Sequence, residues 1–247
     1  PPPPPPPPPP PTATKQFFFF NDTATTEIYT TAKSSAASDV YKRQYPDGID
    51  LKYRFIPIFA AAHNRIQTGW AEKGGFEGYN SHQLKTARAW EHVELHPGIW
   101  VDTVPASSTV SHLFLKAAQL LEQDGHSGFA GESTVPGHTR FESLMWRIRC
   151  AFFEDCLDIC DLAVLTAIAD DMGLPADDIM QNIKHGHAHA ALHLDTEVRD
   201  RYMVSGSPTY VFNEGRQRLY GNVGYRIIRA NVEELMRHPD SGEASWC

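Results

Sequence analysis

The stretch Val204–Tyr225, VSGSPTYVFNEGRQRLYGNVGY, decides the fold. Tyr210-Val211-Phe212 is a short run of β-formers, and Arg218-Leu219-Tyr220 is a second. Asn213-Glu214-Gly215 between them has the length and the glycine of a loop that closes a β-hairpin. Pro208 opens the first strand, where a missing N–H is tolerated, and Ser207-Pro208 is a candidate cis peptide. Gly221, Asn222 and Gly224 end the second strand. Apolar residues at Ile227, Ile228, Val232, Leu235 and Met236 then keep helical spacing, which predicts a helix over Ile227–Met236.

Working outward, the segment before the hairpin reads as helices. Ser107-Ser108 precedes apolar positions Val110, Leu113, Phe114, Ala117, Leu120 and Leu121, and Gly125 stands where a C-cap would put it. Phe141–Phe153 is a second amphipathic run, and Leu162–Met172, closed by Gly173, is a third. Leu174-Pro175-Ala176-Asp177-Asp178 starts a fourth, with proline early and carboxylates facing the helix dipole. Gly186 interrupts it, and Ala188–Met203 is the last helix before the hairpin. Upstream, Ile49–Ile56 alternates apolar with polar residues and reads as a half-buried strand stopped by Pro57. Residues 60–105, with Trp70, Gly74-Gly75, Trp90, His92, His96-Pro97 and Trp100, suggest loops and short helices.

Gly206-Ser207-Pro208-Thr209 followed by Leu219-Tyr220-Gly221-Asn222 resembles the C-terminal half of the DsbA-like thioredoxin family. That half has a G-[SV]-P-T loop with a cis-proline, a hairpin ending in L-x-G-N, and a closing helix. Phe152-Phe153-Glu154, Asp158-Ile159 and Met172-Gly173-Leu174 extend the resemblance, which covers about residues 49–237. It implies an α/β thioredoxin-like fold with a helical insertion at about 82–203 and the cis-proline hairpin and closing helix at 204–237. It also implies that Ser207, Pro208 and Thr209 bind substrate: Pro208 holds the loop, the Ser207 backbone pairs with an extended substrate, and Thr209 lines the same groove.

Residues 1–44 fit none of this. Pro1–Pro11 is homopolymer, and Asn21–Thr30, NDTATTEIYT, matches a reading-frame translation of a common sequencing-adapter oligonucleotide. Ser38–Gln44 likewise matches a translated transposase mosaic end. The segment is therefore set apart as non-native, low-complexity and disordered, against the alternative of a natural Pro-rich tail. Residues 45–247 are then expected to be a thioredoxin domain truncated at its N-terminus, lacking the first strand and the helix that begins at CxxC. Without a first strand, Ile49–Ile56 would have an open edge. The expectation is that residues such as Glu27–Thr31 fill that gap, or that Ile49–Ile56 is detached.

Composition narrows the partners. Of 247 residues, 41% are hydrophobic and 21% charged, as in a globular protein, and the net charge of −8 argues against nucleic acid or an anionic membrane. No apolar run is long enough to span a bilayer. The four cysteines, Cys150, Cys156, Cys160 and Cys247, include no CxxC and no zinc-finger spacing. A thioredoxin-type exchange needs two cysteines in a CxxC at a helix N-terminus, where the dipole lowers the first thiol's pKa. As written, the chain cannot run that mechanism, and no catalytic residue is assigned.

Cys156 and Cys160 would share a face on a continuous helix. The carboxylates Asp155, Asp158 and Asp161 around them would raise a thiolate's pKa, which favours semi-buried thiols over a redox pair. Cys150 reads as core. His82, His92 and His96, and the cluster His185, His187, His189 and His193, read as hydrogen-bonded or solvated rather than metal ligands. No metal and no cofactor are expected.

Three functions compete. One is a thiol-disulfide oxidoreductase acting on a disulfide protein or a small thiol such as glutathione. The second is the glutathione-dependent branch of the same fold (2-hydroxychromene-2-carboxylate isomerase or kappa-class transferase), which uses a serine. The third is a non-catalytic peptide-binding domain. Compartment, with cytoplasm favoured over periplasm, and oligomeric state stay open.

Overall fold

The computed structural model describes residues 15–21, 49–88, 93–133, 137–221 and 223–237. Its sheet has four strands: β1 (Lys15–Asn21), β2 (Ile49–Phe55), β3 (Thr209–Phe212) and β4 (Gln217–Tyr220). Their order is β2-β1-β3-β4, with β1 parallel to β2 and β3 antiparallel to both β1 and β4. A first strand flanked by the second and by the proline-led strand is the arrangement that the resemblance implies.

The first-strand position beside β2 is filled from within residues 1–44, one of the two outcomes expected for that gap. Lys15–Asn21 occupies that position, paired with β2 from Lys15↔Ile49 to Asn21↔Phe55 and with β3 from Phe17↔Phe212 to Phe20↔Thr209. The physical reason is visible in the sequence. Four consecutive phenylalanines, Phe17–Phe20, are strong β-formers, and they stand between two strands whose inner edges would otherwise lack hydrogen-bond partners. Glu27–Thr31 and the position of a CxxC helix lie outside the described residues.

β3 is buried along its length because both faces are covered. Tyr210 and Phe212 join the main core, with Ile228, Val232 and Leu235 from the closing helix α7 (Tyr225–Arg237). Val211, on the other face, packs with Ile56 and Val204. The hairpin pairs Thr209↔Tyr220 through Phe212↔Gln217, and its loop Asn213–Gly215 takes left-handed backbone at all three positions.

Between β2 and β3 lie the helices α1 (Gly75–Ala87), α2 (Thr109–Gln123), α3 (Arg140–Phe153), α4 (Leu162–Asp171), α5 (Ala176–Lys184) and α6 (His187–Arg201). Helix α2 is central and packs on α3, α5 and α6. Its Phe114 and Leu115 are fully buried, as are Leu144, Ile148 and Phe152 of α3. Thr139 and Glu142 form a capping box at the start of α3, and Gly186 at φ 85 separates α5 from α6. Trp100 lies beneath, against Phe59, Tyr79 and Phe152.

The outer edge of β2 is closed by side chains rather than by another strand. Gln119 Nε2 donates to the Tyr53 carbonyl at 3.1 Å, and the Phe55 N–H donates to Asp195 Oδ2 at 2.9 Å. Asp195 is fully buried on α6 and also receives Lys116 Nζ at 2.5 Å and Arg54 Nη1 at 2.8 Å. Burial pulls the Lys116 pKa below the ordinary lysine value, opposed by the Asp195 charge. Capping the edge in this way blocks further strand addition. No helix among the described residues is long and apolar enough to cross a membrane.

Candidate functional site: a cleft beside the proline loop

The loop before β3 is held rigidly. The Ser207–Pro208 peptide is cis. Pro208 O accepts from Gly221 N at 2.9 Å, and the Thr209 hydroxyl donates back to Gly206 O at 2.7 Å. A Cβ at Gly206 would stand 2.7 Å from the Tyr220 ring, so any side chain there would have to move that ring. Tyr220 is itself 63% exposed and leans over the loop from the end of β4.

This loop forms one wall of a cleft of about 260 Å³. Ser205, Gly206, Ser207 and Tyr220 line that side, and Phe59, Arg65, Trp70 and Tyr79 face it. The aromatic wall is interlocked: the Trp70 and Tyr79 rings meet edge to face at 4.9 Å, and Phe59 lies 6.2 Å from Tyr79. Arg65 sits on a π-helical turn, His63–Thr68, with its guanidinium 5.1 Å over the Phe59 ring. Such turns recur at functional positions.

Of the residues that the sequence points to, Ser207 lines this cleft. Pro208 and Thr209 are buried behind it, and the Thr209 hydroxyl is turned onto the loop rather than into the groove. The sequence gives no hint of Arg65 and treats Trp70 only as a loop marker. The π-helical turn that holds Arg65 and the short turn at Trp70 carry no periodic signal that could have singled them out.

A larger cavity, about 550 Å³, lies against β2 and α2 and contains many charges. Those charges are committed to one another. Asp195 holds Lys116 and Arg54, Asp50 pairs with Lys52, and Glu142 accepts from Tyr53 Oη and the Thr139 N–H. Glu122 caps Phe141 N. This is a structural network, and the smaller cleft is the better candidate for a ligand.

The cysteines do not form a reactive pair. Helix α3 ends at Phe153, so Cys156 and Cys160 do not share a helical face, and Cys156 takes left-handed backbone at φ 55. Cys150, Cys156 and Cys160 are free. The Cys160 thiol donates to Ser107 O at 2.8 Å and receives Ser107 N at 3.2 Å; burial, more than the nearby Asp158, pushes its pKa up. Cys150 is half-buried rather than core, with its thiol against Glu154. Burial, then the Glu154 carboxylate, pushes it up to about 12. Cys150 and Cys160 are therefore poor nucleophiles.

The histidines are equally local. His96 Nδ1 accepts from Gly98 N, His185 and His187 meet edge to face at 6.3 Å, and His193 pairs with Glu197 at 3.5 Å. No group of three metal-ligating side chains occurs among the described residues. His92 lies outside them.

No family model and no curated protein matches the chain. Solved structures do. A provisionally designated protein disulfide isomerase from Nitrosomonas europaea aligns at TM-score 0.67 and 12% identity, over 91% of this chain and 98% of its own. The cytosolic disulfide reductase DsbM from Pseudomonas aeruginosa aligns at 0.61 and 16%, over 90% and 98%, and has also been solved with glutathione. A 2-hydroxychromene-2-carboxylate isomerase aligns at 0.52 and 12%, over 93% and 100%. At these identities the likeness establishes architecture: the chain has the DsbA-like thioredoxin fold.

Proposed function

We propose that the cleft beside the cis-proline loop docks a thiol or disulfide substrate, as in a thiol-disulfide oxidoreductase of the DsbA-like kind. The observation that carries this reading is the convergence of Ser207, on a loop with a cis-proline, with an aromatic wall around a cleft of about 260 Å³. An extended substrate would lay its backbone along Ser207, with an apolar portion against Trp70 and Tyr79. Pro208 and Thr209 hold the loop in position for it. The disulfide-exchange step itself needs a dithiol that the sequence does not contain, so binding without turnover is the expected behaviour of this chain.

The adapter-like reading of residues 1–44 extends the proposal to the gene. Sequencing the native locus is expected to replace that stretch with a strand followed by Cys-x-x-Cys. A serine at the equivalent helix start would favour the glutathione-dependent isomerase branch, whose fold is among the likenesses. Neither would leave a non-catalytic binding domain.

The direct test on the chain is equilibrium binding of a short peptide carrying a mixed disulfide, followed by Trp fluorescence, beside an insulin-reduction assay. Saturable binding with no turnover is expected. Absence of binding, or turnover by this chain, would refute the reading.

A further inference from the structure

Two neighbouring loops of the helical region carry an apolar platform that the cleft does not use. Val101, Val104, Leu157 and Leu162 are four of the eight large apolar side chains exposed among the described residues. Hydrogen bonds bring them together. The Thr103 hydroxyl donates to Cys156 O at 2.7 Å, and the Cys160 thiol donates to Ser107 O at 2.8 Å, so segments 103–107 and 156–160 lie side by side. Val104 and Leu157 each follow a member of the first contact, and Leu162 stands two residues beyond the second. The turn at 98–103 is anchored by Trp100, which has left-handed backbone at φ 63 and is 1% exposed, while Val101 beside it is 45% exposed. Cys156, at φ 55, makes the corresponding bend before Leu157. The rim of this platform has one sign. Residues 96–107 and 153–163 hold five carboxylates, Asp102, Glu154, Asp155, Asp158 and Asp161, and no lysine or arginine. Arg147 answers Asp155 at 2.7 Å. Asp158 and Asp161 accept from the backbone N–H groups of Cys160 and Ala163, which fixes them without cancelling their charge.

We infer that this face docks a cationic amphipathic segment of a partner polypeptide. Its apolar side chains rest on Val101, Val104, Leu157 and Leu162, and its Lys or Arg side chains meet the carboxylate rim. Clustered apolar exposure with a polar border marks a contact site, and the charge of the border selects the sign of the partner. A second copy of this chain is disfavoured, because a two-fold contact would set the five carboxylates against their own images. Nucleic acid or an anionic membrane surface is repelled by the same charge. None of these four apolar residues and none of the five carboxylates lines the cleft beside the proline loop. The inference therefore goes beyond the docking reading above and stands without it.

Fluorescence anisotropy on the full chain tests this with a labelled amphipathic peptide of leucine and lysine, beside its leucine–glutamate counterpart. Saturable binding of the lysine peptide alone is expected. Val104→Ser with Leu157→Ser should weaken it about tenfold. Asp158→Asn with Asp161→Asn should weaken it about fivefold, since asparagine still accepts from both backbone N–H groups and loses only the charge. Glu197→Gln with Asp200→Asn removes the same charge from exposed positions on α6 and should leave the affinity unchanged. All of these side chains are exposed, so unchanged thermal unfolding is expected, and Val101→Ser alone serves if the double apolar variant unfolds early. Equal losses in the α6 variant and the rim variant would overturn the inference by reducing it to net charge. Unchanged affinity after the apolar substitutions, equal binding of the glutamate peptide, or no saturable binding by the parent chain would overturn it as well. So would sedimentation showing a dimer that Leu157→Ser dissociates, which would assign the face to a second copy.

Discussion

Replacing Asp195 by alanine probes the closure of the β2 edge. Asp195 is fully buried and neutralises Lys116, whose side chain is 3% exposed, so the variant leaves a buried ammonium group without its counter-charge. Removing one partner of a buried pair costs about 3–5 kcal/mol. A ceiling follows from proton chemistry. Neutralising a lysine whose unfolded pKa is 10.5 at pH 7 costs about 5 kcal/mol, and the protein would deprotonate Lys116 rather than exceed that. Arg54 is a quarter exposed and can rehydrate, so it adds little. The orphaned Phe55 N–H adds about 1 kcal/mol if water enters the space left by the carboxylate. The net expectation is about 4 kcal/mol, a large part of the about 5–15 kcal/mol typical of a domain. Urea unfolding followed by circular dichroism should show a midpoint lowered by about 2 M at unchanged slope. The double variant Lys116→Met with Asp195→Leu removes both charges and should recover at least half of the loss. A loss below about 1 kcal/mol for Asp195→Ala would refute this account of the edge.

Three further outcomes are expected. The His112 imidazole is fully buried, and burial, then the Arg149 and Lys116 charges, lower its pKa from 6.5 to about 3. Between those values the unfolded chain binds a proton that the folded one excludes, so stability falls as pH drops from 6.5 towards 3. His112→Phe should flatten the loss between pH 7 and pH 4 by about 3 kcal/mol in urea titrations, and an unchanged pH slope would contradict this. Gly206→Ala would push the exposed Tyr220 ring off the loop, so unfolding should change by under about 1 kcal/mol while mixed-disulfide binding weakens severalfold. The reverse pattern would place Gly206 in the stability of the fold instead. Cys150, with its pKa raised from 9.0 to about 12, should react with iodoacetamide at pH 7.5 on the order of a hundredfold more slowly than an ordinary thiol, the lost thiolate fraction being partly offset by its higher basicity, as mass spectrometry of the labelled peptide would show.

The hairpin and the helices α2 to α6 were legible because their signals are local. Proline and glycine punctuate the strands, and apolar residues repeat at helical spacing around Phe114, Leu144 and Leu165. Helix α1 was not legible. It opens on Gly74-Gly75 and buries Asn80 and Gln83, and Asn80 is held inside by donating to the Pro97 and Ile99 carbonyls. A buried face made of amides looks polar in sequence. The Cys156–Cys160 spacing suggested one helical face, but a turn after Phe153 intervenes. Of the candidate site, Ser207 could be read from the loop motif. Arg65, Trp70 and Tyr79 could not, because they reach the cleft through a π-helical turn and a helix far away in sequence.

The central claim is that the cis-proline loop and the aromatic wall form one ligand-docking surface. Amide chemical-shift mapping with oxidised glutathione on uniformly labelled protein tests it most directly. Saturable shifts at Gly206, Ser207, Arg65, Trp70, Tyr79 and Tyr220 are predicted. Shifts clustered instead around Lys116, Glu122 and Asp195, or no saturable shift at the proline loop, would contradict it.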